Sequence, residues 1–151
     1  MRFVEGDLDD PQIRETLILH YSKAISQTAP GSAHALDVDA LKAPDIRFFS
    51  LWDDSALLGI GALRRLSVTD GEVKSMYVAE TARRSGAGSA ILSHIIAQAR
   101  ADGLQHLSLE TGSWPYFAPA RAFYVRHGFI DCAPFGDYVP DRNSLFMTLA
   151  L

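Results

Sequence analysis

The sequence predicts a single α/β (α+β) domain with a mixed, mostly antiparallel sheet of six or seven strands flanked by about four helices. Three observations support this class. The chain has 151 residues, 48% of them apolar, which is enough to bury one core. Alternating stretches typical of strands outnumber stretches of helical period. Between Glu72 and Glu110 a strand, a helix and a strand follow one another, an order that is normally parallel.

The first fifty residues predict one strand and one well-capped helix. Arg2–Glu5 reads as a short strand. Asp10 suits an N-cap and Pro11 a first helical residue, and Gln27–Ser32 ends the helix. Asp37–Leu41 predicts a further helical turn. The apolar stripe of the first helix is Ile13, Leu17, Tyr21 and Ala24.

Two hairpins are predicted next. Ile46–Trp52 is rich in aromatic residues and reads as a strand, and Asp53-Asp54-Ser55 follows it as a turn. Ala56–Leu66 predicts a longer strand. Asp70-Gly71 is the strongest hairpin signal because both residues tolerate positive φ, and Glu72–Val78 then returns antiparallel.

The last third predicts two helices and three strands. The helix Gly88–Asp102 precedes a strand at His106–Glu110. A second helix spans Pro119–His127, a strand begins at Phe129, and Ser144–Leu149 closes the chain with alternating apolar residues. The stripe of the Gly88–Asp102 helix is Ile91, Leu92, Ile95, Ile96 and Ala99.

Composition excludes several classes of function. A net charge of −4 argues against a nucleic-acid partner, whose binding face is usually basic. Cys132 is the only cysteine, so we expect neither an internal disulfide nor a cysteine metal site, and the five histidines are not spaced as a metal cluster. The N-terminus does not resemble a signal peptide and no apolar run is long enough to span a membrane. We therefore expect a cytoplasmic protein with no membrane partner and no metal.

The segment Arg83-Arg84-Ser85-Gly86-Ala87-Gly88 predicts an anion site. It links a strand to a helix, and the first amides of a helix point outward without internal partners. The helix dipole adds positive charge there, and the two glycines allow close approach to the backbone. Two arginines at a helix N-terminus are mildly unfavourable unless an anion binds. The segment therefore favours binding of a diphosphate.

Two motifs in this order resemble the GCN5-related N-acetyltransferase (GNAT) family. They are Arg83-x-x-Gly86-x-Gly88 after a strand, and Tyr124-x-x-x-Gly128-Phe129 at the end of a later helix. Ala56 to Phe129 carries the resemblance. The tail from Pro134 to Met147, with Leu109-Glu110-Thr111-Gly112, is similar to a YsnE-like subgroup of bacterial acetyltransferases.

The resemblance implies acetyl-CoA as co-substrate and a sheet that is splayed between its two central strands, Glu72–Val78 and His106–Glu110. It implies that residues 1–55 form a variable substrate-binding part, 56–129 the cofactor core and 130–151 a C-terminal hairpin of one domain. It places Met76, Tyr77 and Val78 against the pantetheine arm. The diphosphate and its surroundings map onto Arg83, Arg84, Ser85, Gly86, Ala87, Gly88 and Ser89.

The resemblance also implies catalytic roles. Tyr124 corresponds to the tyrosine that protonates the thiolate and contacts the cofactor, and the amide of Val78 is the candidate donor to the carbonyl oxygen. Glu72 begins the central strand and is the candidate base; Glu110, which ends the next strand, is its competitor. Either glutamate, or a water chain, remains open as the base. Phe117 stands where many members carry an asparagine that contacts the cofactor.

The acceptor is open at this point. A primary amine of a small molecule or an exposed amino group, attacked directly in a ternary complex, is the leading reading. Glu110, Trp114 and His34 are the candidate acceptor residues. The alternatives are a non-catalytic sensor of CoA or acyl-CoA, which Phe117 favours, and a dinucleotide site, which the arginines and the antiparallel strands disfavour. A homodimer is possible.

Overall fold

The computed structural model describes Met1–Leu151 and confirms the predicted class. Three α-helices and seven strands are present. The fourth predicted helical segment, at Asp37–Leu41, forms only a 3-10 turn at Ala40–Lys42, whose first amide is capped by Asp37 at 2.8 Å. In chain order the elements are β1 Arg2–Glu5, α1 Pro11–Ser26, β2 Ile46–Asp53, β3 Ala56–Arg65, β4 Asp70–Val78, α2 Ala87–Ala101, β5 His106–Gly112, α3 Ala118–Arg126, β6 Ile130–Asp131 and β7 Ser144–Ala150.

The strands form one sheet in the order β1-β2-β3-β4-β5-β7-β6. All neighbours are antiparallel except β4 and β5, which are parallel as the strand–helix–strand pattern predicted. β4 pairs with β5 only from Asp70 to Glu72, opposite His106 to Ser108. The remaining six residues of β4 have no β5 partner, so the sheet opens between its two central strands. The expected splay is therefore present.

The turn between β3 and β4 lies earlier than the sequence predicted. Asp70 and Gly71 belong to β4, and the bend is at Ser67–Thr69. The Ser67 hydroxyl stabilises the bend by accepting from the amides of Thr69 and Asp70 at 3.2 and 3.0 Å. Gly71 serves packing instead, because a Cβ there would lie 2.7 Å from Leu104 Cδ1.

Helix α1 turns its predicted stripe inward at Ile13, Leu17 and Ala24 but not at Tyr21. Ile13 and Leu17 are buried, but Tyr21 is 37% exposed. With 3.6 residues per turn, His20 lies closer to the line through Ile13 and Leu17 than Tyr21 does. His20 and Ala24 therefore continue the inner face, and this rotation brings a histidine to the interior.

Apolar layers lie on both faces of the sheet. Helix α1 covers one face through Ile13 and Leu17, and α2 covers the other through Ile91, Leu92 and Ile95. Helix α2 approaches β3 closely because β3 carries glycine beneath it. Cβ atoms at Gly59 and Gly61 would lie 2.6 Å from Ile91 Cδ1 and 2.8 Å from Ile95 Cδ1. This contact holds the start of α2 beside the end of β4.

A bulge interrupts β4 where the sheet opens. Ile60 of β3 opposes Tyr77, whereas Ala62 opposes Lys74, so β4 contains one residue more than β3 between these pairs. Ser75 lies in the bulge and takes a left-handed conformation, with φ of 53°. Bulges that carry such a backbone are frequent beside functional sites.

Candidate active site

The turn before α2 presents main-chain N–H groups that have no partner in the protein. The amides of Arg84, Gly86, Ala87, Gly88 and Ser89 donate to no backbone or side-chain acceptor. Gly86 caps the helix with a φ of 87°, and no atom lies within 4 Å of where its Cβ would be. These unpartnered amides lie at the positive end of the helix dipole, with open space at Gly86, as an anion site requires.

The two arginines flank this turn in different ways. Arg84 is exposed, with a left-handed φ of 63°. The Arg83 guanidinium lies over the ring of Tyr77, 5.7 Å from its centroid, and donates to the Tyr77 hydroxyl at 3.5 Å. Ser85 turns away, because its hydroxyl donates to the carbonyl of Ala82. Ala87 is buried, so only its amide serves the turn.

A cleft of about 530 Å³, here the outer cleft, runs from the turn to the open edge of β4. Its lining includes most of the residues that the resemblance assigned to acetyl-CoA, namely Met76, Tyr77, Val78, Arg83, Arg84, Gly86, Gly88, Ser89 and Tyr124. The amide of Ala79 donates to the carbonyl of Leu58 at 2.8 Å. Because bonded and non-bonded residues alternate along an antiparallel pair, Val78, which precedes Ala79, points its N–H away from β3. The amide of Val78 therefore faces the cleft.

A second, smaller space of about 140 Å³, here the inner cavity, lies between β4 and β5. Glu110 and His34, two of the predicted acceptor residues, line it. It is contiguous with the outer cleft, because six residues line both: His20, Ala24, Met76, Phe117, Ala120 and Tyr124. The open sheet therefore joins an anion site to a polar cavity.

Tyr124 stands at this junction. Its ring packs edge-on against Phe123 and Phe129, and its hydroxyl makes no hydrogen bond within the protein. Burial raises the pKa of the phenol. The hydroxyl is therefore protonated at neutral pH and free to donate into the junction.

The two glutamates that competed for the role of base occupy different surroundings. Glu110 lines the inner cavity, and burial raises its pKa to about 7, with Glu72 adding to the rise and Lys74 opposing it. Glu72 is 1% exposed and lines neither space. Its carboxylate accepts from Tyr138 at 2.6 Å and lies 3.5 Å from the ammonium of Lys74. The geometry thus favours Glu110 over Glu72.

Lys74 organises a buried polar network that sequence reasoning missed. Its ammonium donates to the carbonyl of His34 and to the hydroxyl of Tyr138, both at 2.9 Å, and faces Glu72. The ring of His34 also meets that of Tyr138 edge-on. The network ties the 32–35 segment, which lines the inner cavity, to β4 and holds the C-terminal loop behind it.

His20 is the other residue that sequence reasoning passed over. It lines both the outer cleft and the inner cavity from α1. Burial lowers its pKa to about 4, and Lys74 contributes, so the imidazole is neutral at physiological pH. The sequence offered one signal for this position: on a helical wheel, His20 lies closer than Tyr21 to the face that carries Ile13 and Leu17.

Trp114, a predicted acceptor residue, lies outside both spaces. It lines neither the outer cleft nor the inner cavity, and its indole N–H donates to Asn143 Oδ1 at 3.0 Å. Phe117 lines both spaces, and its ring covers Gly112, where a Cβ would clash at 2.2 Å. The aromatic loop therefore contributes Tyr116 and Phe117, not Trp114, to the site walls.

An open sheet beside a helix start with free amides is the architecture of CoA-dependent acyltransferases. Residues 12–129 match the model of the Acetyltransferase (GNAT) family, and the chain belongs to this family. The family and its curated relatives make it an N-acetyltransferase.

Curated relatives agree with this assignment. The chain is 43% identical over 145 residues to the uncharacterized N-acetyltransferase YedL of Escherichia coli, covering 96% of this chain and 91% of the relative. It is 41% identical to the uncharacterized N-acetyltransferase YsnE of Bacillus subtilis, covering 96% of each. These matches confirm the YsnE-like resemblance. A third relative, the IAA acetyltransferase of Azospirillum brasilense, is 44% identical over 95% of this chain and 92% of its own length.

Solved structures share the fold. An acetyltransferase from Streptococcus agalactiae superposes with a TM-score of 0.77 at 17% identity, covering 99% of this chain and 98% of that one. An acetyltransferase of Bacillus subtilis in complex with CoA superposes with a TM-score of 0.73 at 17% identity, with the same coverage. No helix in the chain has the length and apolar character needed to cross a membrane.

Proposed function

We propose that the protein transfers the acetyl group of acetyl-CoA to a primary amine of a small molecule, or to an exposed amino group, by direct attack in a ternary complex. One observation carries the proposal: the outer cleft, with its free amides, opens at Tyr124 into an inner cavity that holds Glu110. Donor and acceptor can therefore meet inside the split sheet without a covalent enzyme intermediate.

The outer cleft is the proposed site of acetyl-CoA. Its diphosphate is held by the free amides of Arg84 and Gly86–Ser89, with Arg83 and Arg84 supplying charge-assisted hydrogen bonds. The pantetheine arm pairs with the unpaired edge of β4 at Met76–Val78, in place of the missing β5 contacts. This arrangement directs the thioester toward the junction with the inner cavity.

Glu110 is the proposed base. An amine with a pKa near 10.4 must lose a proton before it attacks, which costs about 4.6 kcal/mol at pH 7. A carboxyl group whose pKa is about 7 is matched to this task, because it is partly ionised at neutral pH and still accepts a proton. Glu110 lines the cavity in which the amine would sit, and Glu72 does not.

The remaining steps use Val78 and Tyr124. As the amine nitrogen bonds to the thioester carbon, negative charge develops on the carbonyl oxygen, and the cleft-facing amide of Val78 stabilises it. Collapse of the tetrahedral intermediate breaks the carbon–sulfur bond. Tyr124 then donates its proton to the departing thiolate, and the nitrogen of the new amide returns a proton to the Tyr124 phenolate. The first proton, which Glu110 took from the ammonium, leaves to solvent.

Residues outside the cofactor core contribute to the selection of the acceptor. The inner cavity is closed on one side by α1 and the 32–35 segment, and Lys74 joins His34 of that segment to Tyr138 of the C-terminal loop. The lining supports a substrate-binding role for residues 1–55 within the single domain, with the C-terminal loop behind it.

A thiol-release screen tests the proposal. Purified protein is incubated with acetyl-CoA and polyamines, amino acids, aminoglycosides or peptides with free N-termini, and the liberated CoA is titrated. We expect release that depends on one acceptor class, with an acetylated amine detected by mass spectrometry. Acetyl-CoA binding without amine-dependent release would contradict the proposed reaction and support a sensor.

A further inference from the structure

His127 connects the C-terminal end of α3 to the first turn of α2. Its Nδ1 lies 2.8 Å from the carbonyl oxygen of Phe123, and its Nε2 lies 3.0 Å from the hydroxyl oxygen of Ser89. The imidazole also packs against the ring of Phe123, with 4.3 Å between the centroids. These contacts hold the imidazole in one orientation, with one nitrogen on the main chain and the other on Ser89.

The partners of the two nitrogens determine where the imidazole of His127 carries its hydrogen. A carbonyl oxygen only accepts, so Nδ1 is the nitrogen that donates to Phe123. In the neutral ring Nε2 is then an acceptor, and the Ser89 hydroxyl donates to it. In the protonated ring Nε2 donates to Ser89 Oγ instead, and the hydroxyl hydrogen is released. The charge of His127 therefore decides where Ser89 directs its hydrogen.

Ser89 lies where an anion could use that hydrogen. It lines the outer cleft, and its main-chain N–H is one of the free amides in the first turn of α2. While His127 is neutral, the Ser89 hydroxyl presents only lone pairs to a phosphate, which repel it. Once His127 is protonated, the hydroxyl can donate, and hydrogen bonds to ionised oxygens are roughly twice as strong as those between neutral groups.

The charges of the outer cleft connect the protonation of His127 to the binding of an anion. Arg83, Arg84 and Arg126 line the cleft, and no carboxylate does. The groups that contact His127 on α3 and α2 are the uncharged Phe123 and Ser89. On their own, the three arginines oppose another positive charge nearby, whereas a bound diphosphate favours it.

A second histidine of the cleft is excluded from this role. Besides the arginines, the titratable residues that line the outer cleft are His20, Tyr77, Tyr116 and Tyr124. Burial lowers the pKa of His20 to about 4, so His20 is neutral throughout the physiological range. Glu110 has a pKa of about 7, but it lines the inner cavity and not the outer cleft.

From these observations, and resting on the proposed acetyl-CoA site, we propose that His127 is a positioning residue for the diphosphate. Its protonated form directs the Ser89 hydroxyl to the anion, so the protein takes up a proton when it binds coenzyme A. Affinity for the nucleotide should therefore rise as the pH falls through the range in which histidine titrates.

Calorimetry with dephospho-CoA tests the proposal. This nucleotide keeps the diphosphate but lacks the 3′-phosphate, a monoester that itself titrates near pH 6. We expect the wild-type affinity to fall about fivefold between pH 5.5 and 7.5, because a charge-assisted donor is lost as His127 becomes neutral. Titrations in buffers of different ionisation enthalpy should show net proton uptake on binding. Binding with no uptake and no dependence on pH would overturn the proposal.

Three variants assign the proton and its route. H127Q stays uncharged and S89A removes the connecting hydroxyl, so both should lose most of the pH dependence. H106Q should keep it, since His106 is exposed at the start of β5 and lines neither space. Glu110 is present in all three and contributes equally. An affinity that falls by one factor at every pH in H127Q would leave His127 a structural role only, and an undiminished pH dependence in S89A would exclude Ser89 as the route.

The role of His127 and the proposed reaction fail in different ways. Proton uptake on binding supports the role of His127 even if no amine releases thiol from acetyl-CoA. Binding without uptake overturns that role and leaves the proposed reaction standing. If neither acetyl-CoA nor dephospho-CoA binds, the proposed acetyl-CoA site is overturned, and the role of His127 with it.

Discussion

The outer cleft and the inner cavity are built by different means. The outer cleft presents main-chain N–H groups from one continuous turn, Arg84 to Ser89, and depends on backbone conformation. The inner cavity presents side chains that converge from α1, the 32–35 segment, β4 and β5, with Tyr138 of the C-terminal loop behind them. A ligand bound through main-chain N–H groups depends on how the backbone folds, whereas a ligand bound through side chains depends on which residues the sequence places there.

The largest effect should come from disturbing the backbone of the outer cleft. In G86D, the new carboxylate would lie beside the free amides and compete with an anion, and Gly86 has a φ of 87°. We expect CoA affinity to fall at least 100-fold, measured by calorimetry.

Gly103 provides a matched control for this variant. It ends α2 with a φ of 79°, and like Gly86 it has no atom within 4 Å of its Cβ position. G103D should lose a similar stability, about 1–2 kcal/mol, and keep CoA affinity. Equal loss of affinity in both variants would mean that strain, rather than the anion site, explains the result.

The next effect should come from the inner cavity. E110Q should lower kcat about 100-fold at pH 8 and remove a rise of activity with pH that is centred near 7, because only the ionised carboxylate accepts the proton. The pH–rate profile measures this. E15Q, on the exposed face of α1, is the control. A rise that persists in E110Q would assign the base elsewhere.

Ionisation of Glu110 should raise activity but lower the free energy of unfolding. The folded-state pKa of Glu110 is about 7, above its ordinary value of 4.5, so the folded protein holds this proton more tightly than the unfolded chain. Its contribution is fully present below about pH 4.5 and is lost as the pH rises through 7. Relative to wild type, E110Q should therefore gain about 2–3 kcal/mol in free energy of unfolding between pH 4.5 and 8, measured by urea titration.

A smaller effect is expected at the junction of the two spaces. Y124F removes the proton donor, and we expect kcat to fall about tenfold, with CoA affinity changed less than twofold, because a thiolate is a fair leaving group without help. Y116F is the control, since Tyr116 lines the outer cleft but not the inner cavity. A loss of CoA affinity in Y124F would reassign Tyr124 to cofactor binding.

The smallest effect on activity is expected from Trp114, which lies outside both the outer cleft and the inner cavity. W114F removes one hydrogen bond, from the indole to Asn143, and should change kcat/KM less than twofold. The free energy of unfolding should fall by about 0.5–1.5 kcal/mol in urea titration. A large change in KM for the acceptor would restore Trp114 to the acceptor site.

The sequence predicted the local parts of this site well. Gly86 and Gly88 lie in one short motif, and the strand and helix on either side follow from periodicity, so the position of the free amides could be read from residues adjacent in the chain. The inner cavity could not be read in this way. Lys74 meets the His34 carbonyl 40 residues away and Tyr138 at 64 residues, and no local pattern records such contacts.

The sequence predicted positions better than side-chain directions. Glu72 lies in the central strand where the sheet opens, as predicted, but only the packed structure shows that its carboxylate accepts from Tyr138. The pKa of Glu110 likewise depends on burial by segments distant in sequence. The turn at Ser67–Thr69 was displaced because a serine hydroxyl replaced the expected Asp-Gly pair.

The short pairing of β4 with β5 divides the sheet into two plates, β1–β4 and β5–β7–β6, that are joined along one narrow edge. Amide deuterium uptake should record that division directly. The N–H of Val78 faces the gap and should exchange rapidly, whereas its neighbour Ala79, bonded to Leu58, should be slow. Coenzyme that occupies the gap would substitute for the missing ladder, so the bound nucleotide should slow exchange at Val78 and stiffen the two plates into one sheet.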